Sequence, residues 1–128
     1  MLVYRWLGVV VMLVLVEAGC TRPRYVHCVF FTCKPGTPPE AMKAQVDDAY
    51  GLLRRVPTVR AVESGMRDSS VNRADLSVTD WDVGLVVRFD DKAGYDAYEI
   101  HPVHRQYVEE NKSIWEKVRV FDFTEPVR

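Results

Sequence analysis

An α+β fold is predicted by three patterns: short runs in which apolar residues alternate, longer stretches in which they recur at helical spacing, and the order in which the two kinds follow one another. Alternating runs cover 25–32, 59–67, 81–89 and 118–123, with one helical stretch between the first two and a second between the last two. The order βαββαβ is the ferredoxin-like arrangement, a four-stranded antiparallel sheet with its helices on one face.

Each element has a local cause. Tyr25 to Thr32 is rich in aromatic and β-branched residues, and alternation places His27, Val29 and Phe31 on one face. Cys33-Lys-Pro35-Gly36 breaks that strand, and Thr37-Pro-Pro39-Glu40 reads as a capping box with prolines in the first helical turn. Met42, Val46, Ala49, Tyr50 and Leu53 then form one apolar stripe, opposite Lys43, Gln45, Asp47 and Asp48. Pro57 ends the helix, because the residue before proline avoids the α region, and Val59 to Arg67 is the second strand, with Gly65 expected to mark a bulge. The polar stretch 68–80 connects it to a third strand, in which Trp81, Val83, Leu85, Val87 and Phe89 alternate. Asp90 is the expected N-cap of a helix over Lys92 to Glu99, His101-Pro102 restarts a helix to Asn111, and Val118 to Phe123 is the fourth strand.

With both helices on one side, the other sheet face needs cover, most economically a second copy. That gives a dimeric α+β barrel with an apolar space between the sheets. A chain of 128 residues has room for one core only, and a formal charge of −1 without a basic stripe argues against nucleic acid.

The start of the chain reads as an address. Arg5 is followed by an apolar run from Trp6 to Val16 and then Glu17-Ala-Gly-Cys20. Such a run spans roughly 16 Å as a helix, about half of a bilayer core near 30 Å, so 1–20 reads as an export signal rather than a membrane span. Ala18-Gly19-Cys20 resembles the lipobox of bacterial lipoproteins, although Glu17 stands where an aliphatic residue is usual. The expectation is a membrane-anchored lipoprotein of the bacterial cell envelope with lipid on Cys20, the alternative a secreted or periplasmic protein. Residues 21–24 form a linker, 25–124 the domain and 125–128 a tail. Cys28 and Cys33 are too far apart along a strand to pair with each other and read as buried hydrophobes, with a cross-subunit disulfide as the alternative.

Ionisable chemistry is concentrated in one place. Tyr98, His101 and His104 fall within seven residues around Pro102, and the chain closes on Phe121-Asp122-Phe123. Two histidines at i, i+3 lack a clear third ligand, so neither a metal nor a cofactor is implied. His101 reads as a helix cap. His104 is open between a pocket role and a buried structural hydrogen bond, and His27 and Trp81 read as pocket-wall or structural residues. Asp122 is expected to pair with Arg88 or Arg119.

These features, with Val29-Phe30-Phe31 in the first strand, resemble the stress-responsive A/B barrel (Dabb) family over 25–124. The resemblance implies a dimeric ferredoxin-like barrel. Toward its C-terminal end the chain is also similar to an enzymatic member of that family, olivetolic acid cyclase, which implies Tyr98 and His104 as an acting pair, the phenol as donor and the imidazole as base. Val83 stands where that enzyme has a further pocket histidine. Three functions stay open: a homodimer binding a small apolar molecule in the barrel, a cofactor-free cyclase, isomerase or oxygenase-like enzyme, and a structural oligomer.

Overall fold

The computed structural model describes residues 22–71, 73 and 75–127. Strand β1 spans Arg24–Cys33, helix α1 Pro39–Leu52, β2 Val59–Met66, β3 Val83–Phe89, α2 Lys92–Glu99, α3 Pro102–Asn111 and β4 Trp115–Glu125. The sheet is antiparallel in the order β2-β3-β1-β4, which is the ferredoxin-like topology. The export signal and Cys20 lie outside the described residues. None of the described helices is long and apolar enough to cross a membrane.

Alternation sets the inner face. Val29 and Phe31 of β1 are buried beside Val83, Leu85, Val87 and Phe89 of β3, and Ala49 of α1 and Leu53 just after it close over them. Burying a side chain of this size contributes about 1.5–3 kcal/mol, so this face holds the helices to the sheet.

Several boundaries fall differently from the sequence pattern, each for a local reason. Pro38, not Thr37, is the N-cap of α1, and the Thr37 hydroxyl turns back to the Lys34 carbonyl at 2.7 Å, so the capping box does not form. Gln45 is fully buried rather than solvent-facing. The irregularity in β2 lies between Val59 and Ala61, while Gly65 pairs regularly with Gly84. Asp91 rather than Asp90 caps α2, its side chain accepting from the Gly94 N–H. Strand β4 starts at Trp115, since an edge strand accommodates the charged pair Glu116-Lys117 that obscures its start.

Trp81 does not continue β3. The Asp82 carboxylate accepts the Cys33 N–H at 2.7 Å and its own N–H donates to the Phe31 carbonyl, bending the chain before the strand begins. The Trp81 indole therefore lies on the helix-free face, 4.9 Å from the Phe30 ring. A Cβ at Gly84 would sit in ordinary van der Waals contact with both rings, at 3.4 and 3.5 Å, so the two aromatics lie directly over this position of the sheet. Phe121 and Phe123 are half-exposed on the same face.

Candidate functional site

The break between α2 and α3 makes the site. Helix α2 ends at Glu99, and Pro102 opens α3 at its first position, where its missing N–H costs no hydrogen bond. His101 is the N-cap, its Nδ1 accepting the Val103 N–H at 3.1 Å. That turn brings Tyr98, at the end of α2, against His104, in the first turn of α3, with ring centroids 4.3 Å apart. Both line a cavity of about 170 Å³ between the helices and the sheet of a single chain, so the pair faces this space and not the space between two sheets. Val118 and Val120 of β4 line it too and are exposed, which puts the opening at the β4 edge.

Tyr98 is 1% exposed, and burial pushes its phenol far above the ordinary tyrosine value, so it is a neutral donor at any physiological pH. Among the described residues its hydroxyl has no hydrogen-bond partner. His104 is half-buried, and its Nδ1 lies 3.1 Å from the Glu99 carbonyl. A carbonyl only accepts, so Nδ1 carries the proton and Nε2 is the free acceptor. Burial lowers the His104 pKa, opposed by the Glu99 carbonyl and carboxylate, and the base form is favoured.

A second imidazole shares the cavity. His27 is 5% exposed, and its Nδ1 donates to Asp122 Oδ1 at 2.7 Å. The other carboxylate oxygen accepts from the Tyr25 hydroxyl at 3.0 Å. Asp122 thus pairs with His27 and not with either arginine: Arg88 bonds Glu125 at 2.7 Å, and Arg119 bonds Asp80. The reason is register. Asp122 is paired with His27 across β1 and β4, and paired residues project to the same face. Burial and the Asp122 contact raise the Tyr25 pKa to about 12, keeping that phenol neutral.

The far end of the cavity is walled by Tyr107 and Trp115. Buried Gln45 lies behind them, its Nε2 donating to Tyr107 Oη at 3.3 Å and its Oε1 accepting from Trp115 Nε1 at 2.9 Å. Val83, Trp81 and His101 are absent from the lining: Val83 is in the core, Trp81 is across the sheet and His101 caps a helix. Two groupings were not anticipated from sequence, the Asp122 partner and the Gln45 contacts. The adjacency of first and last strands in a ferredoxin-like sheet could have revealed the former. Among the described residues, no group of three or more His, Cys, Asp or Glu is placed to hold a metal ion.

The family model for the stress-responsive A/B barrel domain matches residues 26–125. The chain belongs to the stress-responsive A/B barrel family. Solved structures agree in fold. A Dabb family protein with a ferredoxin-like fold from Mesorhizobium loti is 24% identical with a TM-score of 0.66, over 84% of this chain and 100% of that one. A dimeric ferredoxin-like protein of unknown function from Thermobifida fusca is 17% identical with a TM-score of 0.67, over 80% and 92%. The hydroxynitrile lyase from Passiflora edulis is 18% identical with a TM-score of 0.64, over 82% and 95%. No curated protein matches the sequence. In this Dabb domain, the shared fold accounts for the sheet and helices, and the cavity side chains carry any argument about chemistry.

Proposed function

We propose that this Dabb domain is a homodimer that binds a small, largely apolar molecule bearing an oxygen function, in the cavity between its helices and its sheet. The observation that carries this reading is the Tyr98 hydroxyl, which makes no hydrogen bond to a described residue yet is not sealed from solvent, beside His104 in a cavity walled mainly by apolar and aromatic side chains. A neutral phenol that still reaches solvent is free to donate to a ligand oxygen that enters the cavity. The volume suits a single ring, since cavities of about 150 Å³ accept benzene. Dimerisation is supported by the exposed aromatics of the helix-free face and by the dimeric state of the Thermobifida protein. Acetophenone is a fitting probe: titrated into the full-length protein by NMR, it should shift cavity resonances, and Tyr98→Phe should weaken binding about tenfold. Equal affinity in both proteins would remove the phenol from the site.

A second reading, cofactor-free enzymatic chemistry, is favoured by the two imidazoles whose Nδ1 atoms are both engaged. His104 Nε2 would take a proton from the carbon beside a carbonyl, the electron pair would move to the carbonyl oxygen, and Tyr98 would donate to that oxygen. The related fold of a hydroxynitrile lyase is compatible with such chemistry. In D₂O the protein should then speed deuterium entry into the acetophenone methyl group, and His104→Gln should abolish the effect while binding persists. Binding without exchange leaves the first reading alone standing.

We also propose that the chain is exported and held at the envelope membrane through lipid on Cys20, a reading supported by the apolar run and the Ala18-Gly19-Cys20 sequence. In its bacterial host Cys20→Ser should move the protein from the membrane to the soluble fraction. Unchanged fractionation rejects the lipid anchor.

A further inference from the structure

Tyr107 is a tyrosine whose hydroxyl has only half of its hydrogen bonding accounted for. Its side chain is 2% exposed and lines the cavity, and its oxygen accepts from Gln45 Nε2. The phenolic proton has no acceptor among the described residues, and burial raises the pKa far above the ordinary value, so the proton stays on. Gln45 is itself wholly buried and cannot turn away, because its other end holds the Trp115 indole at 2.9 Å. A carboxamide N–H fixed on one side of a phenol oxygen leaves the O–H to point elsewhere, and the cavity is where an acceptor can enter.

Tyr107 and Tyr98 serve different ends of this space. Tyr98 lies against His104, and its ring is 6.0 Å from that of His27. Tyr107 lies one turn further along α3 and close to Trp115, whose ring is 4.6 Å from Phe31. The two phenols are close enough to interact electrostatically, Tyr107 adding to the rise that burial causes in the Tyr98 pKa, so one ring-sized molecule can reach both. Apolar side chains, Val29 and Leu85 among them, line the stretch between.

We infer that Tyr107, positioned by Gln45, is a second hydrogen-bond donor for the ligand, and that the ligand is a ring-sized molecule with an acceptor oxygen at each end. This rests on the ligand-binding reading above and adds to it the number and placement of polar groups on the ligand. Trp115 is held by the same carboxamide, so Gln45 also fixes the far wall against which the second oxygen is placed.

Two probes that differ by one terminal oxygen test this: acetophenone and 4-methoxyacetophenone, titrated into the full-length wild type, Tyr107→Phe and Gln45→Met. Wild type should prefer the methoxy compound. In Tyr107→Phe that preference should fall about tenfold while acetophenone affinity stays within about twofold. Gln45→Met keeps the volume and the Tyr107 phenol but frees its hydroxyl, and should lose part of the preference. An equal preference in wild type and Tyr107→Phe overturns the inference while leaving the binding reading intact. If neither compound binds wild type, the binding reading falls and this inference with it. A merely structural tyrosine would weaken both probes alike, and that outcome also rejects the proposal.

Discussion

His104 shows how one residue couples the site to pH. Burial lowers its pKa from the ordinary value of 6.5, so the folded protein favours the neutral ring while the unfolded chain protonates more readily. The contribution to stability is therefore full above the unfolded value and is lost as pH falls through the folded one. Urea midpoints should drop between about pH 7.5 and about pH 5, and less so in His104→Gln. Identical drops would place the acid sensitivity elsewhere. Residue by residue, the site was partly legible. Tyr98 and His104 are close in sequence, so spacing alone brings them together. Asp122 and His27 are 95 positions apart, and only the pairing of β1 with β4 joins them. Gln45 was misplaced because its residue type outweighed its position, although the i+4 neighbour Ala49 is buried on the same side of the helix.

Helix starts decide the elements around the cavity. Asp91 caps α2 by accepting from the Gly94 N–H at 2.9 Å, and it also accepts from Arg22 at 3.0 Å. Those bonds hold its carboxylate below the ordinary pKa, with the Gly94 N–H as the largest cause. Asp91→Ala should lower the urea midpoint at neutral pH, and Asp91→Asn should lower it less, because the amide oxygen still caps. Equal losses would assign the effect to charge and not to the cap. Alternation, helical spacing, an aspartate cap and the Pro102 restart were enough to find each strand and α-helix of the described domain. Their ends were not, since adjacent aspartates such as Asp90 and Asp91 satisfy the same composition rule and only backbone direction selects between them. Trp81 follows the alternation of β3 as written, yet the turn at Asp82 sends it to the opposite face.

At the scale of the whole molecule, the helix-free face is unlike the surface of a lone soluble domain. Phe121 and Phe123 are 56% and 50% exposed, and Phe30 stands edge-on between Trp81 and Phe121 on the same side of the sheet. Contiguous exposed apolar surface of this kind marks an interaction site. The element order made the bare face foreseeable, because two helices following right-handed crossovers land on one side. In the proposed dimer, a second sheet of the same kind would cover it with matching chemistry in a closed two-fold assembly. Phe121→Asp tests this with little risk to the fold, since the side chain is already half in water and makes one edge contact with Phe30. The wild type should sediment as a dimer at micromolar concentration, and the variant as a monomer with an unchanged far-ultraviolet circular dichroism spectrum. The cavity lies within one chain, so the monomeric variant should still bind acetophenone, apart from any narrowing of the opening near Val118 and Val120 that assembly imposes. A variant that remains dimeric would move the interface off this face, and one that loses both assembly and ligand would make the second copy part of the binding site.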